Sequence, residues 1–143
     1  MTKINTFHLV ISDSQCSVIE PSGDIHAIPV GSTTLSNRFF NHGTSDMALE
    51  YAIAYVEDAV MPLDKLMSSP RDLLETTFST IKDPSYTWLK PGEITNLDKF
   101  ESRFNRALKN IHSKMEIANL LIIRELANHL RFKKIAFKQS KLI

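Results

Sequence analysis

Glu125 and His129 stand four residues apart in MEIANLLIIRELANHLRF, residues 115–132. On a helix that spacing turns a carboxylate toward an imidazole. Such a pair can share a proton, supply part of a metal shell, or close as a local hydrogen bond at the rim of a packed region. The hydrogen-bonded pair is the preferred reading, and a neighbouring carboxylate tends to raise a histidine pKa. His112 and Glu116 repeat the spacing, but at ~100° per residue they fall roughly opposite Glu125. The two pairs therefore cannot meet on one ion within a single straight helix. A di-metal carboxylate bundle uses Glu-x-x-His at i, i+3 with further glutamates, which is a different pattern. No metal site and no cofactor are expected.

The segment Gly31-Ser32-Thr33-Thr34, with Arg38 and His42 beyond it, is the best small-ligand candidate. Ser32, Thr33, Arg38 and His42 offer hydroxyls and cations that suit an anion. The glycine and lysine spacing of a phosphate loop is missing, so an ordinary polar connection is preferred. The C-terminal stretch LRFKKIAFKQSKLI carries Arg131, Lys133, Lys134 and Lys138 without an acid. It suits phosphates electrostatically, but a terminal strand or helix with a solvated basic edge is the preferred reading. Asp46, Glu50 and Glu57 make an acidic helix face, read as solvated. Cys16, the only cysteine, is read as a small core residue on a strand. It has no partner for an internal disulfide, which fits a reducing compartment. No strand–turn–helix motif presents a nucleophile, so an enzyme is the less favoured reading.

The strand Phe7–Ser12, followed by Asp13 and a hairpin, resembles the opening of actin-like ATPases. The glycines of that family's phosphate hairpin are absent, and the chain is too short for two such lobes. No function is carried over from the resemblance.

These residues must be positioned by a chain of 143 residues, the length of one α+β domain, 1–143, with 131–143 a possible basic tail. TFHLVIS alternates as a strand. Gln15–Glu20 and Asp24–Val30 flank Pro21-Ser22-Gly23, which predicts a β-hairpin with Gly23 at positive φ. Pro29 makes the last strand an edge or ends it. Residues 31–44 read as a loop with at most a short helical turn. SDMALEYAIAYVEDAV is helical, capped by Thr44 or Ser45 and ended by Pro62. A second helix is predicted from Ser69-Pro70-Arg71-Asp72, burying Leu73, Leu74, Thr77, Phe78 and Ile81. Residues 83–95 form a loop with a turn at Pro91-Gly92. The third helix starts near Asp98 and runs to about Arg131, unless it breaks near Lys114. The expected architecture is a small N-terminal antiparallel hairpin or sheet packed against three or more helices, the C-terminal one long.

From Ile117 onward the third helix is apolar nearly all round, so it must be buried on more than one side. A hairpin and two short helices cover one side, and a second copy is the simplest cover for the rest. The expected interface is Leu120, Leu121, Ile123, Leu126, Ala127 and Leu130. The chain is also polarised: residues 1–98 carry 6 Lys/Arg and 13 Asp/Glu, and residues 99–143 carry 11 and 3. That favours packing of an acidic body against basic helices.

No signal peptide and no membrane span is legible, so a soluble, cytoplasmic protein is expected. The leading functional reading is a non-enzymatic, self-associating interaction or regulatory module working as a homodimer, with an unidentified protein partner allowed. The alternatives are a nucleic-acid or anionic-surface binder through the basic C-terminal region, and a small-molecule binder or enzyme built on the 31–42 loop.

Overall fold

The computed structural model describes residues 4–78, 94–110 and 114–137. Strands β1 (Thr6–Ile11), β2 (Cys16–Ile19) and β3 (Ile25–Ile28) form an antiparallel meander. Helices α1 (Ser32–Phe39), α2 (Asp46–Val60) and α3 (Leu63–Leu66) follow, then β4 (Leu73–Phe78) and β5 (Ile94–Thr95). Helices α4 (Leu97–Asn110) and α5 (Lys114–His129) lead to β6 (Lys134–Phe137). The six strands make one mixed sheet in the order β3-β2-β1-β4-β6-β5, with β1, β4 and β6 parallel. The α+β expectation holds, with a larger sheet than a hairpin.

The meander follows its local signals. Gly23 turns between β2 and β3 at φ +98°, and Ile19 pairs with Ile25 across it. Strand β3 lies at the sheet edge and stops one residue before Pro29. In β1, Phe7, Leu9 and Ile11 are buried while His8 and Val10 are exposed. The helices gather over the buried face, with α1 and α2 both packed against α5. On the other face His8 Nδ1 meets Glu75 Oε1 at 3.1 Å across the β1–β4 pair.

Helix α2 begins as its caps predict. The Ser45 hydroxyl accepts a hydrogen bond from the Ala48 amide at 3.2 Å, which satisfies one free N–H of the first turn. Ala52, Val56 and Val60 are fully buried, and Ala48, Leu49, Ile53 and Ala59 flank them.

The helix expected from Ser69 is instead strand β4. LLETTF is short, and its two threonines favour a pleated surface. Asp72 caps no helix: its carboxylate accepts hydrogen bonds from the Asn5 backbone and side-chain amides at 3.0 and 3.1 Å. Arg71 donates to the carbonyls of Ser69, Asp64 and Met67, which fixes the turn entering the strand. Ile81, the Tyr86–Trp88 loop and Pro91-Gly92 lie outside the described residues.

The break allowed near Lys114 is present, and the third helix is two, α5 starting at Lys114. In one straight helix Phe104 and Arg124 would sit about 30 Å apart, at 1.5 Å per residue. Here the Arg124 guanidinium stacks 5.1 Å from the Phe104 ring centroid, and its Nε lies 3.6 Å from Glu101 Oε1. Helix α5 therefore folds back along α4. After His129 the helix closes in a Schellman-type turn: Arg131 N–H bonds to the Asn128 carbonyl and Phe132 N–H to the Ala127 carbonyl. Arg131 takes the left-handed conformation, φ 61°, at this turn. The segment 131–137 is then no tail: β6 pairs with both β4 and β5, and Phe132 packs edge-on against Phe7 at 5.1 Å.

This arrangement answers for the greasy circumference of α5. Leu120, Leu121, Ile123, Leu126, Ala127 and Leu130 are all buried within the chain itself. The sheet lies on one side, with α1, α2 and α4 on the others. Cover expected from a second copy is thus supplied internally, because three strands beyond the predicted ones and a folded-back helix give the chain more surface to offer. The interface reading loses its premise.

Candidate functional site

In sheets with parallel strands, ligands are bound outside the carboxyl ends of those strands. At the end of β1 the chain turns through Ser12, Asp13, Ser14 and Gln15, all four exposed. Helix α1 is docked by its N-terminus onto this turn. Ser32 N–H donates to the Ser12 carbonyl, and Thr33 and Thr34 N–H both donate to the Asp13 carbonyl, at 3.0–3.1 Å. The Thr33 hydroxyl donates to Asp13 Oδ1 at 2.9 Å, and the Ser32 hydroxyl reaches the Ser12 carbonyl at 3.4 Å. Gly31 has no side chain to cap α1, so the turn's backbone oxygens take that role. Thr34 Oγ1 returns the bond by accepting from Gly31 N–H at 3.0 Å.

Ser32 and Thr33 thus hold the turn, and the first amides of α1 are already satisfied, which removes the anion nest expected of them. Arg38 lies elsewhere, stacked 4.6 Å from the Tyr55 ring and 5.5 Å from that of Phe39. It lines an open concavity with Thr34, Asn37 and Tyr55, and His42 is exposed outside that lining. Among the basic residues further on, Arg131 pairs with Asp64 at 3.1 Å and Lys133 with Asp72 at 3.6 Å. Lys134 is exposed on β6, and Lys138 lies outside the described residues. The predicted match of an acidic body with basic C-terminal elements is made inside one chain by these pairs.

The second group is the pair that stood out in the sequence, enlarged by one residue. Glu125 Oε1 and His129 Nε2 are 3.4 Å apart on α5. Glu57, from α2, places Oε2 3.7 Å from the same nitrogen. Arg124 Nη1 sits 3.6 Å from the other oxygen of Glu125. Glu125 is 4% exposed, and burial pushes its carboxyl above the ordinary carboxylate value, an effect that Arg124 and His129 partly offset. Glu57 escaped notice because it reads as one more solvated acid on α2; only the α2–α5 packing brings it to His129.

Cys16 is buried, and burial pushes its thiol up to about 12. That makes it an inert core residue. Among the described residues no helix is long and apolar enough to cross a membrane.

No family model matches the chain, and no curated protein does. Solved structures do match. A PPX-GPPA enzyme from Aquifex aeolicus superposes with a TM-score of 0.74 at 10% identity, over 96% of this chain and 54% of the other. An exopolyphosphatase from Cytophaga hutchinsonii gives 0.71 at 12% identity, over 97% and 54%. A further form of the Aquifex Ppx/GppA phosphatase gives 0.73 at 11%. This chain therefore spans about half the length of those proteins, so the length set against two lobes is the length of about half of these neighbours. The fold is one that phosphatase-type enzymes use, and these neighbours lend no support to a non-enzymatic module.

Proposed function

We propose that this chain is an enzyme-fold domain of phosphatase type that binds a phosphorylated ligand at the carboxyl ends of its parallel strands. The observation that carries the reading is Asp13: an exposed carboxylate on the turn leaving β1, fixed through Oδ1 by Thr33, in a fold shared with exopolyphosphatases. A lone carboxylate repels phosphate, so the ligand arrives with a divalent cation. Magnesium keeps most of its waters and takes one or two carboxylates together with phosphate oxygens. The donor set at the turn fits that demand: one carboxylate, two serine hydroxyls and a glutamine amide, all open to solvent. The Ser12 and Asp13 carbonyls are held by α1 amides and Asp13 Oδ1 by the Thr33 hydroxyl, which keeps the carboxylate in place.

Titration of tripolyphosphate into the protein, followed by 31P line broadening with and without Mg2+, tests this. Binding that needs Mg2+ and is lost in Asp13→Asn supports the site. Failure of the wild-type protein to bind in the presence of Mg2+ rejects it.

A further inference from the structure

Glu57, Glu125 and His129 present three donor atoms that all lie within 4.8 Å of one another. Among the described residues this is the one group of three or more metal-donor side chains so placed. The question is whether their spacing is that of a hydrogen-bonded ion pair or of something held between them.

The protein contains its own comparison. His26 Nε2 and Glu20 Oε2 meet at 2.7 Å, between a buried glutamate and a shielded histidine. That is the length of a closed, charge-assisted hydrogen bond. Around His129 both carboxylates stand further off, at 3.4 and 3.7 Å. Zinc bonds of about 2.1 Å to nitrogen and oxygen, arranged tetrahedrally, set neighbouring donors about 3.4 Å apart. The two spacings at His129, 3.4 and 3.7 Å, lie close to that edge length, and the three donors all fall within 4.8 Å of one another.

We propose that Glu57, Glu125 and His129 form a zinc-binding site that ties α2 to α5. One imidazole and two carboxylates make a three-ligand set, and the fourth position is left to water. Glu125 is the second, independent pointer. Its side chain is 95% buried, with His129 at 3.4 Å from one oxygen and Arg124 at 3.6 Å from the other. A buried carboxylate ordinarily holds tight hydrogen bonds, because leaving it loosely paired is costly. A divalent ion between Glu125 and His129 would replace these long contacts with ligand bonds of about 2.1 Å. The two oxygens of Glu125 divide the work: Oε1 faces His129, while Oε2 faces Arg124. Arg124 is itself fixed by Glu101 and by the Phe104 ring. It orients the carboxylate in the manner of the outer partners that fix metal ligands.

Access and polarity agree with this. Glu57 and His129 are each partly exposed, so an ion enters from the solvent side of the α2–α5 seam. His129 is the last residue of α5, where the helix carbonyl end favours a cation. This site is separate from the turn at Asp13 and stands whether or not phosphate binds there.

Isothermal titration with Zn2+, and with Co2+ as a spectroscopic stand-in, decides the matter. The expected result is one strong site per chain, the intense visible absorption of tetrahedral Co2+, and no comparable binding of Mg2+. Glu57→Gln and His129→Gln each weaken Zn2+ binding by about tenfold or more. Both positions are partly exposed, so circular dichroism shows both variants folded. Absence of a one-to-one site overturns the proposal. So does Zn2+ affinity that survives both substitutions, which would place the ion on another histidine. A weak octahedral Co2+ spectrum overturns the three-ligand geometry.

Discussion

Gly31 lies so close to Asp13 that a methyl group built on it would overlap the Asp13 carbonyl and the Ser14 nitrogen. The backbone of Gly31 is ordinary, at φ −128°, so glycine is required here by space alone. The contact lets the turn after β1 cap α1 and so brings Thr33 within reach of the Asp13 carboxylate.

Gly31→Ala therefore acts on both fold and site. The extra carbon pushes α1 off the turn, with a cost of about 1–3 kcal/mol typical of overpacking. Urea unfolding reads that loss. Magnesium-dependent tripolyphosphate binding weakens in the same variant, under conditions where it remains folded.

Leu126 is fully buried under the chain's own elements. Leu126→Ala should cost about 2–5 kcal/mol. Because the cover is internal, the denaturation midpoint of wild type and variant should not move with protein concentration. A midpoint that climbs with concentration would instead restore the idea of a second copy.

Glu125 sets a pH dependence of definite sign. Its folded carboxyl titrates above the ordinary carboxylate value, so between the two values the folded state holds the proton more tightly. Stability from this group is fully present below the unfolded value and is lost as pH rises through the folded one. Glu125→Gln mimics the protonated form. In metal-free buffer the variant should gain on wild type as pH rises from 4 toward neutrality, followed by thermal unfolding. Asp72 works in the opposite sense: hydrogen bonds from Asn5 hold its carboxyl below the ordinary value, so its contribution fades as pH falls.

Arg131 takes the left-handed conformation at the end of α5, where glycine is the residue of least strain. A side chain there costs about 1–2 kcal/mol. The ion pair with Asp64 offsets little of this, because Arg131 is 78% exposed. Arg131→Gly should raise the melting temperature, and Arg131→Val should lower it, as calorimetry can show.

The sequence showed what local chemistry decides. Pro21-Ser22-Gly23 announced the hairpin, Ser45 announced α2, and the Glu125–His129 spacing announced a contact that exists. What it hid was made by distant partners. LLETTF is too short for its period to separate helix from strand, and only the pairing with β1 and β6 settles it. The reversal between α4 and α5 left no Gly or Pro to mark it. The burial of Leu120–Leu130 was legible, but the identity of the cover was not, since β4, β5 and β6 were unseen. Glu57 and His129 are brought together by helix packing that no spacing rule contains. The Asp13 turn was noticed, yet its role rests on α1, whose length was underestimated.

Asn5 and Asp72, hydrogen-bonded across the start of the β1–β4 pair, are 67 positions apart in the chain. Parallel neighbours in this sheet are never consecutive in sequence. The meander can close within its first thirty residues, but β1 must wait for a partner synthesised long after it, and β4 must wait again for β6. Loops of that length make assembly slow relative to local hairpins. During translation the N-terminal meander therefore forms first, and the parallel half of the sheet is completed only when β6 arrives.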